Sequence, residues 1–106
     1  MSQPLRLRLT ETAEADLAEI WAYISEDSEH AATRLLERVK KACVRLLEFP
    51  LSGASREQLG CGLRVIFQGN YAIYYLVQAR EVVVVRVLHG ARDAAALAEQ
   101  GGFAAN

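Results

Sequence analysis

Proline is scarce, with two residues in a chain of 106, and there are only two cysteines, one methionine and one tryptophan. So few prolines, beside 52% hydrophobic and 24% charged residues, exclude a disordered, collagen-like or low-complexity chain. No apolar run approaches the ~20 residues that cross a bilayer. The first eight residues carry Arg6 and Arg8 within their apolar stretch and lack a signal-peptide core, so the chain reads as soluble and cytoplasmic. Cys43 and Cys61 belong to no C-x-x-C or histidine-containing pattern. Both are expected to be reduced, Cys43 as a small core residue on a helical stripe. The two histidines, His30 and His89, stand apart from other ligand types, which argues against a metal site. Gly60-Cys61-Gly62 opens a strand without a following Lys-Ser/Thr, so it is no phosphate loop, and no cofactor is expected.

One domain fits this length, and it can bury a core without staples. The formal charge of −1 conceals an asymmetry: residues 1–31 sum to −5 and residues 32–92 to +6. The neutral total argues against nonspecific coating of nucleic acid, while the basic half remains compatible with an acidic partner.

Leu5-Arg6-Leu7-Arg8-Leu9 alternates strictly and predicts a half-buried strand with its leucines inward. Thr10 or Thr12 then offers an N-cap to a helix whose stripe is Ala13, Leu17, Ile20, Trp21 and Ile24. Trp21 is expected in the core of a helical hairpin, with an anchor for a partner as the alternative; Asp16 and Glu19 read as solvated charges. A second helix is predicted from about 29 to 48, on the stripe Ala32, Leu35, Leu36, Val39, Cys43, Leu46 and Leu47. Pro50 stops it, and residues 52–55 read as a surface loop. Strands follow at 63–67, 71–77 and 82–89, the first two joined by a Gly69-Asn70 hairpin signal. Weak helical turns are expected over 94–99 and a frayed tail over 100–106.

The order β-α-α-β-β-β defines an α+β domain: an antiparallel sheet with a helical hairpin on one face. Alternation separates Val83, Val85 and Val87 from Val82, Val84, Arg86 and Leu88. With the first set turned to the helices, Arg64 and Arg86 would share the open face, a mixed apolar and cationic surface suited to a partner. His89, Arg92, Arg64 and Arg86 could also converge at a sheet edge, where arginines hold phosphate and a histidine moves a proton. Tyr71, Tyr74 and Tyr75 could stack bases there, although strand tyrosines usually pack.

Several segments resemble one family. They are Thr12-x3-Asp16-Leu17-x2-Ile20-x2-Tyr23, Ala31-Ala32, Pro50-x2-Gly53, Gly62-Leu63-Arg64, Asn70-Tyr71-x-Ile73-x-Tyr75 and Val87-Leu88-His89-Gly90-x-Arg92-Asp93. In order and spacing over residues 5–98 they look like a ParE-type toxin of the RelE/ParE superfamily, from bacterial type II toxin–antitoxin modules. The resemblance implies the same fold, neutralisation by a ParD-like antitoxin, and contact with operator DNA only through that antitoxin. RelE-like members cleave mRNA on the ribosome, with an arginine after the tyrosine of the second meander strand and basic and tyrosine residues near the C-terminus. Here Ala72 follows Tyr71, and Ala94 and Ala98 lie in the C-terminal stretch. A phosphodiester cleaver without those cations loses transition-state stabilisation. The resemblance therefore implies a non-enzymatic inhibitor of DNA gyrase. Arg64, Arg86, His89, Arg92 and Leu97 are the residues expected in partner contact. The alternatives are a ribosome-dependent endoribonuclease and a non-toxic co-repressor.

Overall fold

The computed structural model describes residues 5–90 and 92–105. The elements are β1 (Arg6–Leu9), α1 (Glu11–Ser25), α2 (Glu29–Arg45), β2 (Ala54–Ser55), β3 (Arg64–Gln68), β4 (Tyr71–Gln78), β5 (Glu81–His89) and α3 (Ala94–Glu99). The sheet order is β1-β5-β4-β3-β2. The three long strands form the expected antiparallel meander, but β1 pairs parallel to β5. The sheet is thus mixed, because the helical hairpin carries the chain back to the same end. No helix among the described residues is long and apolar enough to cross a membrane.

The caps fall where side-chain chemistry requires them. The Thr10 hydroxyl accepts from Ala13 N–H at 3.0 Å and starts α1. The Ser28 hydroxyl accepts from Ala31 N–H at 3.1 Å and starts α2, which ends at Arg45 and unwinds through turns rather than reaching Glu48. Gly69 supplies the left-handed φ of 59° that the β3–β4 hairpin needs. The stretch read as a loop over 52–55 contains β2, whose two residues pair with Arg64 and Val65.

Two cores sandwich the sheet. Under the helices, Ala13, Val39, Cys43 and Leu46 pack on Ile73, Tyr75, Val82, Val84 and Val87. On the opposite face, Leu63, Val65, Ala72, Tyr74, Val83, Val85 and Leu88 pack with Phe103, flanked by Leu97. The expected grouping of Val83, Val85 and Val87 on the helix side is overturned. A β-bulge is the cause: Tyr74 pairs Arg86 and Tyr75 pairs Val84, which leaves Val85 as an extra residue. The bulge inverts the alternation, so Val82, Val84 and Val87 share the helix face.

The second core also corrects the expectation of a frayed tail. After α3 the Leu97 carbonyl accepts from Gly102 N–H at 2.8 Å, which turns the chain back. Phe103 then stacks on Tyr74 with ring centroids 4.8 Å apart. The Ala105 carbonyl accepts from Arg8 at 3.3 Å. Of that tail, only Asn106 lies outside the described residues.

Cys43 is buried at 3% exposure, and burial pushes its thiol up to about 11. Cys61 is exposed. We expect Ellman's reagent to titrate one thiol in the native protein near pH 8 and two after denaturation. Because Cys43 ionises more readily unfolded than folded, stability should be intact below about pH 9 and fall as pH rises toward 11. Two thiols reacting natively at equal rates would contradict the burial.

Candidate functional site

The site grows from an edge that β1 leaves uncovered. β1 matches β5 only from Glu81 to Val84, so the following β5 groups need other partners. Thr10 and Asp16 supply them. Thr10 N–H donates to the Val84 carbonyl at 3.0 Å, and its hydroxyl donates to the Val85 carbonyl at 3.0 Å. Asp16, further along α1, accepts from Val87 N–H at 3.0 Å. The same carboxylate takes a two-pronged grip from Arg86, at 2.8 Å from Nε and 2.9 Å from Nη2. Arg86 also reaches the Gly102 carbonyl at 3.3 Å.

The side chains of Arg86 and Asp16 are only 11% and 10% exposed. The hydrogen bond to Asp16 raises the Arg86 pKa above its ordinary value, so the guanidinium stays charged. Asp16 is therefore not a solvated charge, and Arg86 does not project from an open face. Together they bind α1, β5 and the tail into one unit. A signal for this was present: Asp16 lies three residues after Ala13 and four before Ile20, within the apolar stripe of α1.

Above this pair lies a cleft of about 400 Å³ between α1 and the end of β5. His89 stands at its rim, its ring edge-on to Tyr71 with centroids 5.4 Å apart. Arg92 N–H donates to the His89 carbonyl at 2.9 Å, a turn that puts both side chains on the same cleft. Glu19 and Tyr23 line the opposite wall from α1, and Tyr23 is 75% exposed. The sequence reading missed both as site residues.

Arg64 does not join them. It pairs with Tyr75 on the helix face, and its Nη1 donates to the carbonyls of Gly53 at 2.8 Å and Leu51 at 3.3 Å. His89 aligns through Tyr71 with Gln68, four residues and about 13 Å along β3 from Arg64. A phosphate could not bridge Arg64 and Arg92. Leu97 is half-buried on the far core. Of the five expected positions, the fold brings together His89 and Arg92 alone, with Arg86 as their support.

A second concavity, of about 440 Å³, opens between β1 and the two helices. Leu7, Leu9, Leu17, Trp21 and Leu36 line it. Trp21 is only half-buried there, so it is a groove wall and not the core residue expected. Among the described residues, no group of three histidine, cysteine or acidic side chains could hold a metal ion.

The chain is thus a mixed five-stranded sheet, covered by a helical hairpin on one face and by a folded-back C-terminal segment on the other. A solved chain from the chromosomal ParDE toxin–antitoxin system of Pseudomonas aeruginosa superposes with a TM-score of 0.71, over 83% of this chain and 98% of that one. At 21% identity, that likeness speaks to the fold alone. A chain of the RelBE2 toxin–antitoxin complex from Mycobacterium tuberculosis superposes at 0.60 with 26% identity, over 82% of this chain and 99% of that one. Toxin ParE1 of Caulobacter vibrioides is 34% identical over 91 residues, covering 84% of this chain and 93% of that protein. The family model for the ParE toxin of the parDE type II toxin–antitoxin system matches residues 7–94. The chain belongs to the ParE toxin family.

Proposed function

We propose that this toxin acts in the cytoplasm by binding and inhibiting DNA gyrase, without catalytic residues of its own, and that a ParD-like antitoxin neutralises it. The observation that carries the choice over RNA cleavage is the face holding Ala72. Ala72 is 3% exposed there in an apolar core that Phe103 and the C-terminal segment close. A closed apolar layer offers a scissile phosphate neither cations nor a stacking surface. Partner contact falls to the cleft of His89 and Arg92, while Arg86 and Arg64 hold the scaffold behind it.

The groove beside Trp21 suits the antitoxin. It is apolar, and Leu7 and Leu9 of β1, an edge strand of the sheet, form part of its wall. A segment that folds on binding gains both apolar burial and strand pairing at such a place. Operator DNA then meets the toxin only through the antitoxin.

Induction of the toxin alone in a bacterial host tests the proposal. Filamentous cells with a DNA-damage response are expected. An abrupt stop in translation would support the ribosome instead, and unaffected growth would support a non-toxic co-repressor. Substituting both His89→Ala and Arg92→Ala should weaken gyrase inhibition about tenfold or more, with an unchanged melting temperature. Full inhibition by that variant would remove the cleft from the account.

A further inference from the structure

A third concavity, of about 600 Å³, lies on the other flank of the helical layer, between the C-terminal half of α2 and β3. Neither the cleft of His89 nor the groove of Trp21 shares a residue with it. Its helical wall carries Arg38, Lys41 and Arg45, spaced at i, i+3 and i+7 on one face of α2. None of the three forms an ion pair among the described residues, and no acidic side chain lines the groove. Facing them is Phe49, exposed by 56%; Phe67 lines the rim from β3, but it pairs with Ala72 and so turns its ring to the opposite face of the sheet. Large apolar rings so open to water cost solvation free energy unless a partner covers them. Phe67 stands where β3 has run past β2, whose pairing stops at Val65.

We propose that this groove binds single-stranded DNA, with the three cations on the phosphates and the exposed Phe49 ring stacking on an unpaired base. Arg38 to Arg45 spans about 10 Å of helix, the length of about three phosphates along one strand. A cationic track beside exposed rings is the arrangement that holds single strands without reading sequence. An acidic peptide would satisfy the cations but would leave the flat face of the Phe49 ring without a planar partner. Ser52 and Gln68 are the only neutral hydrogen-bonding side chains in the lining, and neither is placed among donors that would select a ribose hydroxyl. The lining holds no histidine or carboxylate, so the groove binds and does not cleave. The proposal is independent of gyrase, because it concerns the isolated chain and a different surface.

The test is fluorescence anisotropy of a labelled oligo-dT of about a dozen nucleotides with the full chain, at about 50 mM salt. Binding is expected to weaken with salt along a slope of about −2, the value for about three phosphates on a single strand. Replacing Arg38, Lys41 and Arg45 together with alanine should abolish the salt slope and most of the affinity. Phe49→Leu, which keeps apolar bulk but removes the ring, should cost about fivefold or more, whereas Phe67→Leu on the opposite face should change little. Circular dichroism confirms that these exposed variants fold. Four results would overturn the proposal: no binding at high protein concentration, a Phe49→Leu variant that binds as well as the parent, preference for an RNA or duplex probe, or equal binding of a polyglutamate peptide. Gyrase inhibition that persists in the triple-alanine variant leaves the functional proposal standing while the DNA-binding result decides this one.

Discussion

Replacing Asp16 with alanine is expected to destabilise the toxin by about 3–5 kcal/mol, because it strands the Arg86 guanidinium in a nearly dry site. Three bonds vanish at once: two from Arg86 and one from Val87 N–H, at 2.8, 2.9 and 3.0 Å. The Val87 N–H is left without its acceptor at an edge that β1 does not reach. For a domain whose total stability is about 5–15 kcal/mol, that loss puts the variant near its unfolding threshold. Arg86→Ala should cost a similar amount, since it leaves the carboxylate buried with one backbone donor. The double replacement Asp16→Leu with Arg86→Met should recover much of the loss, because no charge then remains unpaired. Urea denaturation of these proteins checks this, and Asp16→Leu and Arg86→Met made singly close the double-mutant cycle. Additive losses would mean that the pair is worth no more than two surface charges.

The second large effect is expected at Gly53, and it comes from packing rather than charge. Tyr75 is fully buried, and its hydroxyl ties the loop after α2 in both directions. It accepts from Gly53 N–H at 2.9 Å and donates to the Pro50 carbonyl at 2.8 Å. A Cβ on Gly53 would stand 2.6 Å from that hydroxyl, 2.7 Å from the ring and 2.8 Å from the Val65 carbonyl. Gly53→Ala should therefore cost roughly 3 kcal/mol through overpacking and the lost hydroxyl bonds. Tyr75→Phe removes only the hydroxyl and should cost about 1–3 kcal/mol. Adding Tyr75→Phe to Gly53→Ala should not restore stability, because the Val65 carbonyl belongs to the backbone and cannot swing away. Rescue by the double variant would show that the loop has room to move. The same loop accepts both Arg64 bonds, so its displacement would also loosen the start of β3.

These two sites show which parts of the structure local sequence carries. Capping, helical stripes and the Gly69 turn depend on neighbours within a few residues, and they were legible. The bulge at Val85 was not, because a run of four valines from Val82 has the same strand propensity in either register. That one extra residue inverted the face assignment for the strand and with it the expected arginine surface. Burial of Asp16 depends on a partner seventy residues away, and the parallel pairing of β1 with β5 joins opposite ends of the chain. The pairing of β1 leaves no periodic trace, and Asp16 leaves only its place within the apolar stripe of α1. The tail is similar: Gly101-Gly102 reads as fraying until Phe103 meets Tyr74 across the sheet. The family motifs carried what periodicity could not, since they include Asp16, Gly53, Tyr75 and the His89–Arg92 segment together. Three of those positions, Asp16, Gly53 and Tyr75, are held by packing and hydrogen bonds.

The most direct test of the functional account is DNA supercoiling by purified gyrase, with and without the purified toxin. The account predicts inhibition with accumulation of cleaved DNA, reversed by the cognate antitoxin and weakened by His89→Ala with Arg92→Ala. Full supercoiling at high excess of folded toxin, together with cut mRNA in a translating extract, would contradict it.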